Sequence, residues 1–270
     1  MKRSTFAAMV TTALAAVQSP ARMCAADWSR AREEMQWAGV PGASLATIHG
    51  ASVGAAQFGL RSVAARVPVT ADTIFEAASL SKPVFAYAVF RLVRTGKLDL
   101  DRSLDSYLPK PYPIADPRGT AITARHVLTH RSGLPNWRHA AAEPLKLHFA
   151  PGTQYLYSGE GFYFLQTVVE RITGRSTAQF TRAALDALGM RRSSYVWRPA
   201  DADNVALPYG INGRPLPHDT AQLGEQLVAA ATTKPLMAWT VADALAAFRV
   251  CTRLGPRCLG TRCRTQRGPC

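Results

Sequence analysis

The sequence predicts an α+β domain, on three observations. Residues 42–60, GASLATIHGASVGAAQFGL, alternate in character around His49-Gly50 with glycines interspersed, as two strands of a hairpin do. The later stretches SKPVFAYAVFRLVRTG and GEGFYFLQTVVERITG instead carry apolar residues at helical spacing and end on Gly96 and Gly174. The chain has 270 residues, 47% hydrophobic and 19% charged. That is enough to fold as one large domain or as two lobes sharing a core, and it argues against wholesale disorder.

The elements follow in order. Residues 28–38 read as a short amphipathic helix stopped by Gly39 and Pro41. The 42–60 hairpin comes next. Asp72 to Ala78 lead into a helix whose first turn contains Pro83. Proline is tolerated there because the amide it lacks would have no partner in any case. Phe85, Val89 and Leu92 would bury one face of that helix. KLDLDRSLDSYLP reads as a turn and a short helix with its leucines inward. ITARHVLTHRSGLPNW, 122–137, reads as a short helix capped by Thr123 and followed by a Gly/Pro turn. FAPGTQYLYSGEGFYFLQTVVERITG, 149–174, gives a loop, a tight turn and an apolar helix, and TAQFTRAALDALGM gives another helix.

The net charge of +14 is concentrated at the ends. Lys2, Arg3 and Arg22 lie in the first 26 residues. Arg249, Arg253, Arg257, Arg262, Arg264 and Arg267 lie in the last 22, with no acid beyond Asp243. The body between them is only mildly basic, which speaks against a nucleic-acid partner. Residues 1–26 read as an export signal: a basic start, an apolar run from Phe6 to Val17, and Cys24-Ala25-Ala26 before Asp27. The run is too short for a permanent membrane span, so an exported, periplasmic or secreted protein without stable membrane insertion is expected. Four of the five cysteines, Cys251, Cys258, Cys263 and Cys270, fall in the tail. They lack the CxxC spacing of a zinc site. His126 and His130 lie four apart, but Val127 stands where a zinc hydrolase of the HExxH type needs glutamate, so packing or surface roles are expected for both. No metal or organic cofactor is implied.

The candidate chemistry lies in FEAASLSK. Ser79 and Lys82 are one helical turn apart, at the point where the run becomes helical. Solvated helix starts often carry the same pair. A serine hydroxyl attacks only with help from a neighbouring base. The free amides and positive dipole end of a helix start can hold a developing oxyanion. Lysine titrates near ~10.4 and tyrosine near ~10. Brought together, Lys⁺ would favour a tyrosinate, or a neutral lysine could take the serine proton itself.

FEAASLSK, LTHRSGLPNW and PGTQYLYSG, in this order and rough spacing, resemble the serine β-lactamase-related hydrolases. That family includes class C β-lactamases, D-alanyl-D-alanine carboxypeptidases and esterases on the same scaffold. The resemblance covers about residues 30–200. It implies a β-lactamase/transpeptidase-like fold: an antiparallel sheet flanked by helices, a helical lobe beside it, and the active site in the groove between. It also implies Ser79 as acyl-forming nucleophile, Lys82 as its partner, and Tyr157 as the tyrosine of the family's Tyr-x-Asn element. Tyr155 is the competing tyrosine. Gly159 stands at the asparagine position, and Asn136 in LTHRSGLPNW is the other substrate-contact candidate. The implied reaction is acyl transfer from an ester, a D-amino-acid peptide or a β-lactam, in that order because of Gly159. The implied partner is a small-molecule or peptide substrate. A non-catalytic protein binding cell-wall peptide on the same scaffold is the alternative.

Two departures stand out. Gly159 removes a side-chain amide, and ionised Glu160 beside it cannot donate in its place. The family's later Lys-Thr-Gly or His-x-Gly triplet has no counterpart: His218-Asp219-Thr220 lacks the glycine, and Arg131-Ser132-Gly133 precedes the tyrosine. Beyond about residue 248 the chain reads RVCTRLGPRCLGTRCRTQRGPC, without strand-like alternation. The expectation is a hydrolase domain over 27–248 followed by an aberrant Arg/Cys-rich tail, 249–270, from a frameshift or truncation that removes C-terminal strands. A disulfide-bearing tail is the rival reading. Lost strands would expose apolar surface, at about 25 cal/mol per Å², so impaired activity is expected.

Overall fold

The computed structural model describes residues 28–49, 52–138, 144–210, 212–216 and 238–239. The leader, the His218-Asp219-Thr220 triplet and the Arg/Cys-rich tail lie outside the described residues. The described residues fall into two compact units, one within 28–73 and 206–216, the other within 74–205 together with 238–239.

The first unit is built on the hairpin. β1 (Gly42–His49) pairs antiparallel with β2 (Ser52–Ser62) in unbroken register, from Gly42 opposite Gly59 to His49 opposite Ser52. The short β3 (Val67–Pro68) pairs with the end of β2 and gives the sheet order β1-β2-β3. The register shifts between Leu60 and Ser62, where one extra residue bends the strand. α1 (Ser29–Trp37) precedes the sheet, close to the expected span. None of its residues is buried, so its amphipathic character is weaker than the sequence suggested. The anchor is Trp28 just before it, whose ring lies 6.1 Å from that of Phe58, while Arg32 sits 5.3 Å over the same Phe58 ring. The returning segment is tied to β2 by Leu207 N–H donating to the Arg61 carbonyl, 2.9 Å, and by Val63 N–H donating to the Tyr209 hydroxyl, 2.7 Å.

The second unit holds the helices. A two-residue β4 (Phe75–Glu76) pairs antiparallel with β5 (Ala238–Trp239). A single turn of 3₁₀ helix, Ala78–Leu80, then runs into α2 (Ser81–Arg94). Phe85, Val89 and Leu92 are buried on one face of α2, as their spacing predicts. Gly96, with φ +69, turns the chain away just past the helix end. Leu98 and Leu104 are fully buried around a 3₁₀ turn at Leu104–Tyr107. α3 (Ala124–Leu128) opens with Thr123 as N-cap, and the His126 ring completes the box by accepting from the Thr123 amide.

α4 (Gly159–Thr173) is the central helix. Gly159 through Gln166, with Val168 and Val169, are all buried. A helix apolar on nearly every side has to lie inside its domain. Ser158 caps it by accepting from Gly161 N–H, 2.9 Å, and Gly174 closes it in the left-handed conformation, φ 64. Phe164 stacks on Tyr112 with centroids 4.3 Å apart. α5 (Thr177–Ala187) then packs on α2 through Phe85 and Phe180, 6.2 Å apart and edge-on. An antiparallel hairpin sheet in one unit and helices in the other make the α+β architecture that the element order implies.

Candidate active site

The turn carrying Ser79 is unusual. Ala78, the residue before it, has φ +41, in the left-handed region that costs an L-residue about 1–2 kcal/mol. This kink leaves Ser79 exposed just ahead of α2, whose positive end points toward it. Two contacts hold the kink. The Ser81 hydroxyl donates to the Ala78 carbonyl. The Tyr195 hydroxyl, deeply buried, donates to the Ser81 carbonyl at 2.7 Å. Burial pushes the Tyr195 phenol well above its ordinary value, so it stays a donor. Sequence reading missed Tyr195, because only the fold brings it to a helix start more than a hundred residues earlier.

Lys82 Nζ donates to Ser79 Oγ at 3.1 Å. Three aromatic rings surround the same ammonium: Tyr157 at 5.0 Å, Phe162 at 5.5 Å and Trp137 at 5.9 Å, each measured to the ring centre. Tyr157 is therefore the tyrosine beside the pair. Lys82 and Ser79 both act on its phenol. Burial alone would raise its pKa, but the hydrogen bonds from Lys82 and Ser79 and the lysine charge outweigh that and bring it below the usual phenol value. Tyr155, the competitor, is 68% exposed and meets only the edge of the His130 ring, 6.0 Å away.

His130 fixes Tyr157 in place. The two rings stack with centroids 4.3 Å apart. His130 itself has φ +55. Its carbonyl accepts from Leu156 N–H at 2.9 Å, and its Nδ1 accepts from Ser158 N–H at 3.1 Å. It therefore grips the tyrosine from both neighbouring amides and over the ring face. Packing was the expected role of this histidine, but nothing in its sequence spacing shows that the packed partner is Tyr157. Gly133 supports the same segment with φ +81, and a methyl group there would collide with the Phe149 carbonyl.

Burial, with the Lys82 charge behind it, lowers the His130 pKa, and burial lowers that of His126. A group depressed in the folded state stabilises fully above its unfolded value, about 6.5. That stability is lost as pH falls through the lower folded value. The urea midpoint is therefore expected to drop between about pH 7.5 and pH 5, and to drop less in His130→Gln.

Asn136 and Gly159 meet directly. Gly159 N–H donates to the Asn136 side-chain oxygen at 3.0 Å and to its carbonyl at 3.1 Å, and Glu160 N–H donates to that carbonyl at 3.0 Å. Asn136 thus anchors the first turn of α4. Glu160 turns inward, 3% exposed, and its Oε1 accepts from Arg138 N–H at 3.1 Å and Nε at 3.3 Å. It does not replace the missing asparagine amide. Gly159 has no room for a side chain: a Cβ there would lie 2.6 Å from Trp137 Cζ2, and closer still to Cη2 and Cζ3. No group of three or more His, Cys, Asp or Glu with metal-binding geometry occurs among the described residues.

A hydroxyl with an amine and an acidified phenol around it has the groups that nucleophilic catalysis needs. The chain is 36% identical over 185 residues to Esterase EstB of Burkholderia gladioli, covering 56% of this chain and 45% of the relative. It is 31% identical over 149 residues to Penicillin-binding protein 4* of Bacillus subtilis strain 168, covering 47% and 32%. The chain spans less than half the length of these curated relatives. Among solved structures, a class C β-lactamase superposes with TM-score 0.68 at 24% identity, covering 82% of this chain and 63% of that one. A D-alanine carboxypeptidase AmpC from Burkholderia cenocepacia gives 0.65 at 22%, covering 81% and 61%. These likenesses show the β-lactamase/transpeptidase fold. The Beta-lactamase family model matches residues 29–255, and the chain belongs to that family of serine hydrolases.

Proposed function

We propose that the chain is a serine hydrolase working through an acyl-enzyme on Ser79. The observation that carries this reading is the 3.1 Å contact between Lys82 Nζ and Ser79 Oγ, with the Tyr157 phenol acidified beside both. The Tyr157 phenolate, held by the Lys82 ammonium, takes the Ser79 proton as Oγ attacks the substrate carbonyl. The same proton passes to the departing alkoxide or amine as the carbonyl re-forms. Water, deprotonated by the same phenolate, then releases the acid and frees Ser79.

Short-chain esters are the first substrate class, ahead of D-amino-acid peptides and β-lactams. Gly159 offers no side-chain amide to a substrate, and Glu160 is turned toward Arg138. Export to the periplasm or medium accords with the basic, apolar leader.

Incubation with a fluorophosphonate followed by intact-mass and peptide mapping tests the reading. The expected result is one adduct, on Ser79. Labelling elsewhere, or none on correctly folded protein, overturns it in favour of a binding protein on the same scaffold.

A further inference from the structure

Trp137 is a residue that none of the proposed chemistry uses, yet it occupies a commanding position. Its six-membered ring lies over Gly159 so closely that any side chain there would enter the ring. The same indole sits 5.9 Å from the Lys82 ammonium, which the Phe162 and Tyr157 rings also approach. The Tyr163 ring packs against it at a tilt, with centroids 5.5 Å apart. Trp137 remains 37% exposed. Beside the first residue of α4, the Trp137 indole therefore presents aromatic carbon near the Lys82 ammonium, in the space that a side chain at 159 would fill.

We propose that Trp137 is a specificity-determining residue, the wall against which the acyl group of the substrate lies. The inference rests on the acyl-enzyme reading above and deepens it. An indole face welcomes compact, apolar acyl chains by contact and by exclusion of water. It offers no comparable partner to an acylamino substituent, whose amide would lose its hydrogen bonds to water on entry. Discrimination of this kind is worth roughly 10–200-fold when it depends on apolar contact alone. Gly159 and Trp137 form one unit in this scheme. The glycine is required because the indole fills its side-chain space.

Two esters with the same leaving group isolate the effect: p-nitrophenyl butyrate and the p-nitrophenyl ester of N-acetyl-D-alanine. Ser79 acylation by each is followed by nitrophenolate burst and intact mass. The native chain is expected to favour butyrate. Trp137→Ala lowers the butyrate-to-acylamino rate ratio at least about tenfold, and Trp137→Phe, which keeps an aromatic ring and guards against loss of fold, gives an intermediate ratio. Gly159→Asn alone loses acylation by both esters, because its Cβ enters the indole. Trp137→Ala with Gly159→Asn recovers acylation, most strongly with the acylamino ester, which is coupling beyond additivity. An unchanged ratio in Trp137→Ala and Trp137→Phe, with fluorophosphonate labelling of Ser79 retained, overturns this inference alone. Normal acylation of Gly159→Asn also overturns it alone. Failure of the native chain to label at Ser79 overturns the hydrolase reading and this inference with it.

Discussion

Tyr157→Phe is expected to slow Ser79 acylation by about 10²- to 10⁴-fold, the range of a general base lost from its proton. The ring should stay where it is. His130 stacks on it at 4.3 Å, and the neighbouring amides of Leu156 and Ser158 remain bonded to His130. Substrate affinity should therefore change little, so the loss falls on the rate constant rather than on KM. A pH profile adds a second test. Burial works to raise the Tyr157 pKa, but Lys82 and Ser79 draw it below the ordinary phenol value. With the phenolate as the proposed base, the acylation rate is expected to rise as pH climbs through that lowered value. The midpoint of the native limb should lie below about pH 10, and the Phe variant should lack the limb. Retention of more than half of the native rate in the variant would remove Tyr157 from the chemistry.

Phe164→Ala should cost about 3–5 kcal/mol. The side chain is fully buried in the middle of α4 and stacked against Tyr112, at 4.3 Å and 16° between rings. Its neighbours Leu165, Val168 and Val169 are also fully buried, so the cavity has little surface into which it could collapse. Domains hold a margin of about 5–15 kcal/mol, so this one change takes a large share of it. Urea denaturation reads the effect as a fall in midpoint at nearly constant slope. A loss below about 1 kcal/mol would mean that the second unit tolerates voids at its centre.

The local features were legible in the sequence, and the long-range ones were not. Gly96 and Gly174 mark helix ends because left-handed backbone favours glycine. Thr123 marks a helix start because capping needs a short polar side chain. Ser79 and Lys82 declare themselves because both sit on one turn. Tyr157 is separable from Tyr155 by its place in the PGTQYLYSG element, and exposure agrees. The arrangement around these residues comes from contacts between segments far apart in the chain. Trp137 over Gly159, Arg138 on Glu160 and His130 on Tyr157 arise because segments 130–138 and 156–160 lie side by side. No periodicity announces such pairings. In α1 the sequence overstated burial, since Trp28 outside the helix makes the contact that the helix face was expected to make.

The bond from Tyr195 to the Ser81 carbonyl sets a schedule for the nascent chain. A ribosome makes the serine turn early, but the brace for that turn emerges only after more than a hundred further residues. Until then the kinked backbone at Ala78 has only its local contact with the Ser81 hydroxyl. Stalled polypeptides released before residue 195 should accordingly react sluggishly with serine-directed reagents, and those released soon after it should gain reactivity in one step.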